Sequence, residues 1–249
     1  MHQSGARYFF QGFNLIKQPK LLPFVAIPFT INVIIFIAGF YHLFGYLEQT
    51  MTWFEQSVPE FLTWLTYILW PLAIILMLLT MGASFSIVAN LIAAPFNGLL
   101  SEKVEEHLLG VKNNGSLLEV IKDLPRVLGR EWQKLKYWVP RAILCLVLFW
   151  VPVIGQTAAP VIWLVFCCWM YAIQYCDFPF DNHKVSFTDM KSQLGENKSK
   201  SLSFGLAVNL LTMVPILNAI VMPVAVCGAT AMWVDHYRKR NTLDKYMQR

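Results

Sequence analysis

Charge is what this sequence has least of. Only 14% of its 249 residues are Asp, Glu, Lys or Arg, while apolar residues make up 56%; soluble domains carry about 25% and roughly 45–50%. A soluble fold of this size cannot hide that surplus, so lipid has to solvate part of the chain. Catalytic signatures are lacking too. There is no P-loop, GxSxG or HExxH, and the five histidines are scattered singly, so the sequence reads as a non-enzyme. The five cysteines (Cys145, Cys167, Cys168, Cys176, Cys227) lie in or beside apolar stretches without CxxC or Cys/His ligand spacing. They predict packing residues, with no disulfide framework and no metal. No cofactor and no nucleic-acid partner are expected. No cleavable signal is expected either, because the apolar run after Lys17 and Lys20 is too long for one and lacks a small-residue cleavage site.

What is present is a series of uncharged segments, which predicts a single all-α integral membrane domain over 1–249. Residues 5–17 place Ala6, Phe9, Phe10, Phe13 and Ile16 at helical spacing before Pro19, an amphipathic helix for the membrane surface. Leu21 to Leu47 is 27 uncharged residues, about 40 Å as a helix and enough for a first span. Phe61 to Leu100 is uncharged for 40 residues, and a helical pattern continues to 109, so a long second span over 61–109 is expected. Ser116 and Glu119 form a capping box for an amphipathic helix over 116–137.

Two later segments are interrupted. Ala142 to Cys176 is broken by Pro152, Gly155 and Pro160, and Leu202 to Val234 by Pro215, Asn218 and Pro223. Their centres repeat with an offset of 63: Val151-Pro152-Val153-Ile154 then Pro160-Val161, and Val214-Pro215-Ile216-Leu217 then Pro223-Val224. Arms of about 10–17 residues fall short of a bilayer. The expectation is therefore two re-entrant helical hairpins, 139–176 and 202–234, followed by a basic tail, 235–249; six full crossings is the competing architecture. Irregular backbone at membrane depth must be buried in protein or line water, and paired broken segments point to transporter binding sites.

All 20 Lys and Arg lie outside the acidic stretch of Glu48, Glu55 and Glu60 that separates the two spans. The positive-inside rule then puts both termini in the cytoplasm, and Arg238-Lys239-Arg240 against anionic lipid. Two features carry candidate chemistry. Ala83, Ser86, Asn90, Ala94, Asn97, Ser101 and Glu105 share one helix face, suited either to helix packing or to a polar track for a hydrated solute. Lys122, Arg126, Arg130 and Lys134 recur every fourth residue; steps of about 40° make them one basic stripe. That stripe fits an anion route, a lipid-facing basic surface, or salt bridges to Glu102, Glu105 and Glu106. Asp177 and Asp181 in DFPFDNHK read as turn or cap residues.

AAPFNGLL (93–100), REWQK (130–134), VPVIGQT (151–157), QYCDFPFDNHK (174–184) and MPVAVCGATAMWVD (222–235) resemble the CysZ family of bacterial sulfate permeases over about Gly5 to Arg240. The resemblance implies sulfate moving inward across the bacterial inner membrane to feed cysteine biosynthesis, two long spans with partly penetrating hairpins, and dimers or larger oligomers, inverted protomers included. The one-sided Lys/Arg distribution favours a single orientation. Similar proteins carry a Gly-Leu/Ile-Arg sulfate element where this chain reads Gln18-Pro19-Lys20-Leu21-Leu22-Pro23. Lys20 keeps a positive charge there but lacks the two-pronged grip of arginine. The expected function is thus a channel-like sulfate permease, with a membrane scaffold acting through a partner as the alternative.

Overall fold

The computed structural model describes residues 3–110 and 117–241; the side chains of Ser86, Asn90, Lys122 and a few neighbours, and the Ser116–Glu119 capping pair, lie outside the described residues. Every regular element among the described residues is helical: α1 (Gly5–Ile16), α2 (Leu22–Ser57), a 3-10 turn (Glu60–Leu65), α3 (Thr66–Leu109), α4 (Leu117–Leu148), α5 (Ile154–Asn182), α6 (Phe187–Glu196), α7 (Lys198–Thr212) and α8 (Pro215–His236). Leu22–Ser57, Glu60–Gly82 and Ile154–Asn182 are long and apolar enough to cross a membrane. The chain is an all-α membrane protein. Its contacts divide it into two units, Ala26–Ala94 and the remainder.

The Ala26–Ala94 unit is a helical pair inside out. Ile34, Ile37 and Leu79 are each more than 60% exposed, a surface that water would reject and acyl chains would cover. The pair meets through small and aromatic groups: Phe36 meets Phe85 edge to face at 4.9 Å, and Gly39 lets Met81 come close. As one index rises the other falls, so the helices are antiparallel about the 3-10 turn. That turn shortens the 61–109 helix of the sequence reading, because Pro59 sets an extended backbone ahead of Glu60.

The larger unit has a conventional core. Phe180 packs on Trp233 at 4.4 Å between ring centroids, with Phe9, Phe204, Ile173 and Met232 fully buried around them. α1 belongs to this core: its buried face is Gly5, Tyr8, Phe9, Gly12 and Leu15, set against α7 and α8. Phe10, read from spacing as part of the apolar face, is instead 52% exposed. The glycines explain the fit. A Cβ on Gly12 would sit 2.1 Å from the Val224 carbonyl oxygen, a distance only a glycine permits.

Both interrupted segments break at the repeated motif; α4, α5 and α8 are longer than the arms of the sequence reading, while α7, at 15 residues, is within them. α4 runs unbroken through Pro125 and Pro140, joining the expected 116–137 helix to the first arm. The turn occupies 149–153, with Val153 at φ 69°, a conformation strained for a β-branched residue. Gly155 makes the turn possible, since a Cβ there would lie 2.2 Å from the Phe149 carbonyl oxygen. Pro160 sits inside α5 and does not end it. The return arm is therefore 29 residues, about 44 Å, and length alone does not confine it to half a bilayer. In the second segment Val214 is extended ahead of Pro215 at the start of α8, as the residue before proline prefers. α6 was not anticipated, although Ser186, whose hydroxyl accepts from the Asp189 N–H at 3.1 Å, is an ordinary helix cap.

Candidate functional site

Arg126, Arg130 and Lys134 of the basic stripe face inward along the seam between α4 and α5. Arg126 donates to an Asp181 carboxylate oxygen at 2.6 Å and to the Asp181 carbonyl at 2.9 Å. Arg130 Nε donates to Asp177 at 2.7 Å. Lys134 lies 3.3 Å from the other Asp177 oxygen and 2.5 Å from Glu131. As α4 advances four residues, from 126 to 130, the paired position on α5 retreats four, from 181 to 177. That is the register of two antiparallel helices turning about 153, where the chain does turn. Three cations thus meet three carboxylates.

Burial corrects two expectations. The Arg130 and Lys134 side chains are 9% and 5% exposed and Asp177 is 3% exposed, so these cations do not face lipid. The carboxylates on the stripe are Asp177, Asp181 and Glu131, whereas Glu102, Glu105 and Glu106 had been expected. Asp177 and Asp181 are not turn residues but lie in the last two turns of α5. Arg130 also lies 5.4 Å from the Phe187 ring centroid and reaches the Met190 sulfur, so α6 closes the seam.

Glu105 has a separate task. It accepts from Arg238 at 2.9 Å and pairs with His183 at 2.7 Å, while His183 stacks on Trp233 at 5.0 Å. Burial alone would raise its carboxyl, but the His183 and Arg238 contacts outweigh burial and hold it below the ordinary carboxylate value. Glu106 pairs with Lys103 at 2.8 Å, and burial pushes the Glu102 carboxyl up. The sign for stability follows. A carboxyl held low in the folded state stabilises it above the unfolded value, 4.5, and that contribution fades as pH falls through the lower folded value. Thermal unfolding in detergent should show wild type more stable than Glu105→Gln at neutral pH, with the gap closing as pH falls below 4.5. A gap independent of pH would contradict the assignment.

The remaining candidates separate. Asn97 is 7% exposed, and Ser101 is fully buried, 2.9 Å from the Thr230 hydroxyl of α8. On this half of the polar face, packing accounts for Ser101, while Ser86 and Asn90 lie on side chains outside the described residues. Lys20 is exposed in the turn between α1 and α2. Between α4 and α5 a cleft of about 360 Å³ opens beside the ladder, lined by Glu131, Lys134, Trp138, Trp163, Tyr171 and Gln174 among others. Among the described residues no cluster of His, Cys, Asp and Glu could hold a metal.

The arrangement offers oxyanion-binding cations, each already holding a carboxylate, beside an open cleft within an apolar helical frame. Comparison with known protein families matches residues 8–223 to the family described as Sulfate transporter CysZ/Etoposide-induced protein 2.4.

Proposed function

From this chain's membership of the Sulfate transporter CysZ/Etoposide-induced protein 2.4 family, which supports a general role in sulfate transport, we propose that it is a channel-like permease. In this reading it moves sulfate across the bacterial inner membrane into the cytoplasm, where cysteine biosynthesis consumes it. Both termini lie in the cytoplasm, on the side to which the Lys and Arg residues are confined, and the working unit is a homo-oligomer. No covalent chemistry is assigned to it.

The observation that carries the proposal is the carboxylate-held ladder. Sulfate is a dianion and loses heavily on leaving water unless cations receive it. Bare buried cations would be costly while no sulfate was bound. Arg126 with Asp181 and Arg130 with Asp177 solve both problems by exchange: an arriving sulfate oxygen takes the place of a carboxylate oxygen on the guanidinium. The planar fork of arginine suits this because it grips two oxygens at once. Lys134 at the cleft wall, with Lys20 as a solvent-facing point charge, would complete a route that binds loosely enough to release. Asn97, buried on α3, is a further polar group for the route; Ser86, Asn90 and Lys122 join it on sequence spacing alone.

Purified protein in liposomes is expected to admit radiolabelled sulfate without any partner. Arg126, 35% exposed, is the safest position to change, and Arg126→Lys should retain charge and part of the rate. No sulfate entry under any of several gradients, from folded protein, would overturn the permease and leave the scaffold reading.

A further inference from the structure

We propose that Tyr137, Arg141 and Lys191 form a seat for the phosphate of an anionic phospholipid, where α4 passes from water into lipid. The site is independent of the exchange ladder. Tyr137 is held from two sides, since its hydroxyl accepts from Trp169 Nε1 at 3.1 Å and its ring meets Phe187 at 5.9 Å. Over this fixed ring stand two cations, the Arg141 guanidinium carbon at 3.7 Å from the centroid and Lys191 Nζ at 4.5 Å. They are therefore no farther apart than the sum, about 8 Å. At that separation one phosphate can touch both with different oxygens, since each charge-assisted N–H···O contact spans about 2.8 Å.

Among the described residues, neither Arg141 nor Lys191 forms an ion pair, in contrast to Arg126, Arg130 and Lys134 about two to four turns before Arg141. Arg141 spends one N–H on the Tyr137 carbonyl and keeps the others. Position selects the partner. After Arg141 the chain has no charge until Asp177, and Leu144 and Trp150 stand 63% and 88% exposed, as acyl chains would require. Before it, Lys136 lies 5.6 Å from the Trp132 ring centroid. The border of water and hydrocarbon thus falls at 137–141, the depth at which interfacial aromatics and lipid phosphates sit. A lipid phosphate supplies negative charge there with its acyl chains laid on the exposed apolar face.

The test uses the full chain in nanodiscs of phosphatidylcholine, with or without phosphatidylglycerol, and native mass spectrometry of the lipids retained. Wild type should retain phosphatidylglycerol in preference. Arg141→Gln/Lys191→Gln should weaken that preference about fivefold for each cation lost, leaving phosphatidylcholine unchanged. The exposed-site control Lys198→Gln should match wild type. On wild-type protein, which removes any question of misfolding, photoactivatable phosphatidylglycerol should label peptides around 137–141 and 187–191. Labelling elsewhere, or a double variant that retains phosphatidylglycerol as Lys198→Gln does, would overturn the proposal. Displacement of the lipid by inorganic phosphate alone would assign the cations to free anions and overturn it equally.

Discussion

Asp177→Asn is expected to lose more folded protein than Arg130→Gln, although the two residues form one ion pair. Asp177 serves two cations, Arg130 at 2.7 Å and Lys134 at 3.3 Å. Without its charge, Arg130 keeps the Met190 sulfur and the Phe187 ring, neither of which is an anion, and Lys134 keeps Glu131. Breaking a buried pair costs about 3–5 kcal/mol, mostly because the remaining charge stays buried, and here two charges remain. Without Arg130, by contrast, Asp177 still holds Lys134. Monodisperse yield after detergent extraction should therefore fall from wild type to Arg130→Gln to Asp177→Asn. The charge swap Arg130→Asp/Asp177→Arg should recover only part of the loss, because Lys134 would then meet a cation. A yield for Asp177→Asn at or above that of Arg130→Gln would contradict the shared-carboxylate geometry.

A comparable loss is expected from adding one methyl group at Gly205. A Cβ there would lie 1.7 Å from the Cys168 carbonyl oxygen and 2.6 Å from its carbon, so helix backbone, which cannot turn aside, blocks it. α7 and α5 must separate, and with them the α5 face of Ala172 and Cys176 that belongs to the core. Overpacking of a flexible core costs about 1–3 kcal/mol; against backbone the effect should exceed that range, and Gly205→Ala should yield aggregated or degraded protein. Gly129 is the control. It also lies mid-helix, but a Cβ there meets nothing within 4 Å, so Gly129→Ala should stabilise α4 by about 0.5–1 kcal/mol. Equal behaviour of the two variants would refute the close approach.

Most of the architecture was legible because membrane helices announce themselves by what they exclude. α2 and the first half of α3 follow from absent charge, and the two breaks from a repeated Val-Pro motif. Element ends were less visible. Pro160 read as a breaker, yet it sits within α5, because a proline removes one intrahelical bond and the rest of the helix's ladder remains. The site was half legible. Spacing exposed the cationic half of the ladder, since four residues at every fourth position are conspicuous. The acidic half, Asp177 and Asp181, has the same fourth-residue spacing but lies among Pro179, Asn182 and His183, which disguised it as a turn. Matching the two spacings across a turn at 153 would have paired them. The Tyr137 seat could not be found this way, because its members come from α4 and an α6 whose start signal was overlooked.

The docking of α1 on α8 has a consequence for the order in which the protein is made. The two meet through Tyr8, whose hydroxyl donates to Asp235 at 2.8 Å across 227 residues of chain, and Gly228 leaves room for the Tyr8 carbonyl. At about 5–20 residues per second of synthesis, α1 waits roughly 10–45 s after leaving the ribosome before its binding face exists. During that interval Phe9 and Leu15 have no protein to bury against, and the bilayer surface is the nearest apolar refuge for an amphipathic helix. The larger unit is thus closed last, by its first and final helices together, and a ribosome that stalls before α8 leaves a chain whose opening segment is still moored to lipid, a form that quality-control proteases can distinguish from the finished molecule.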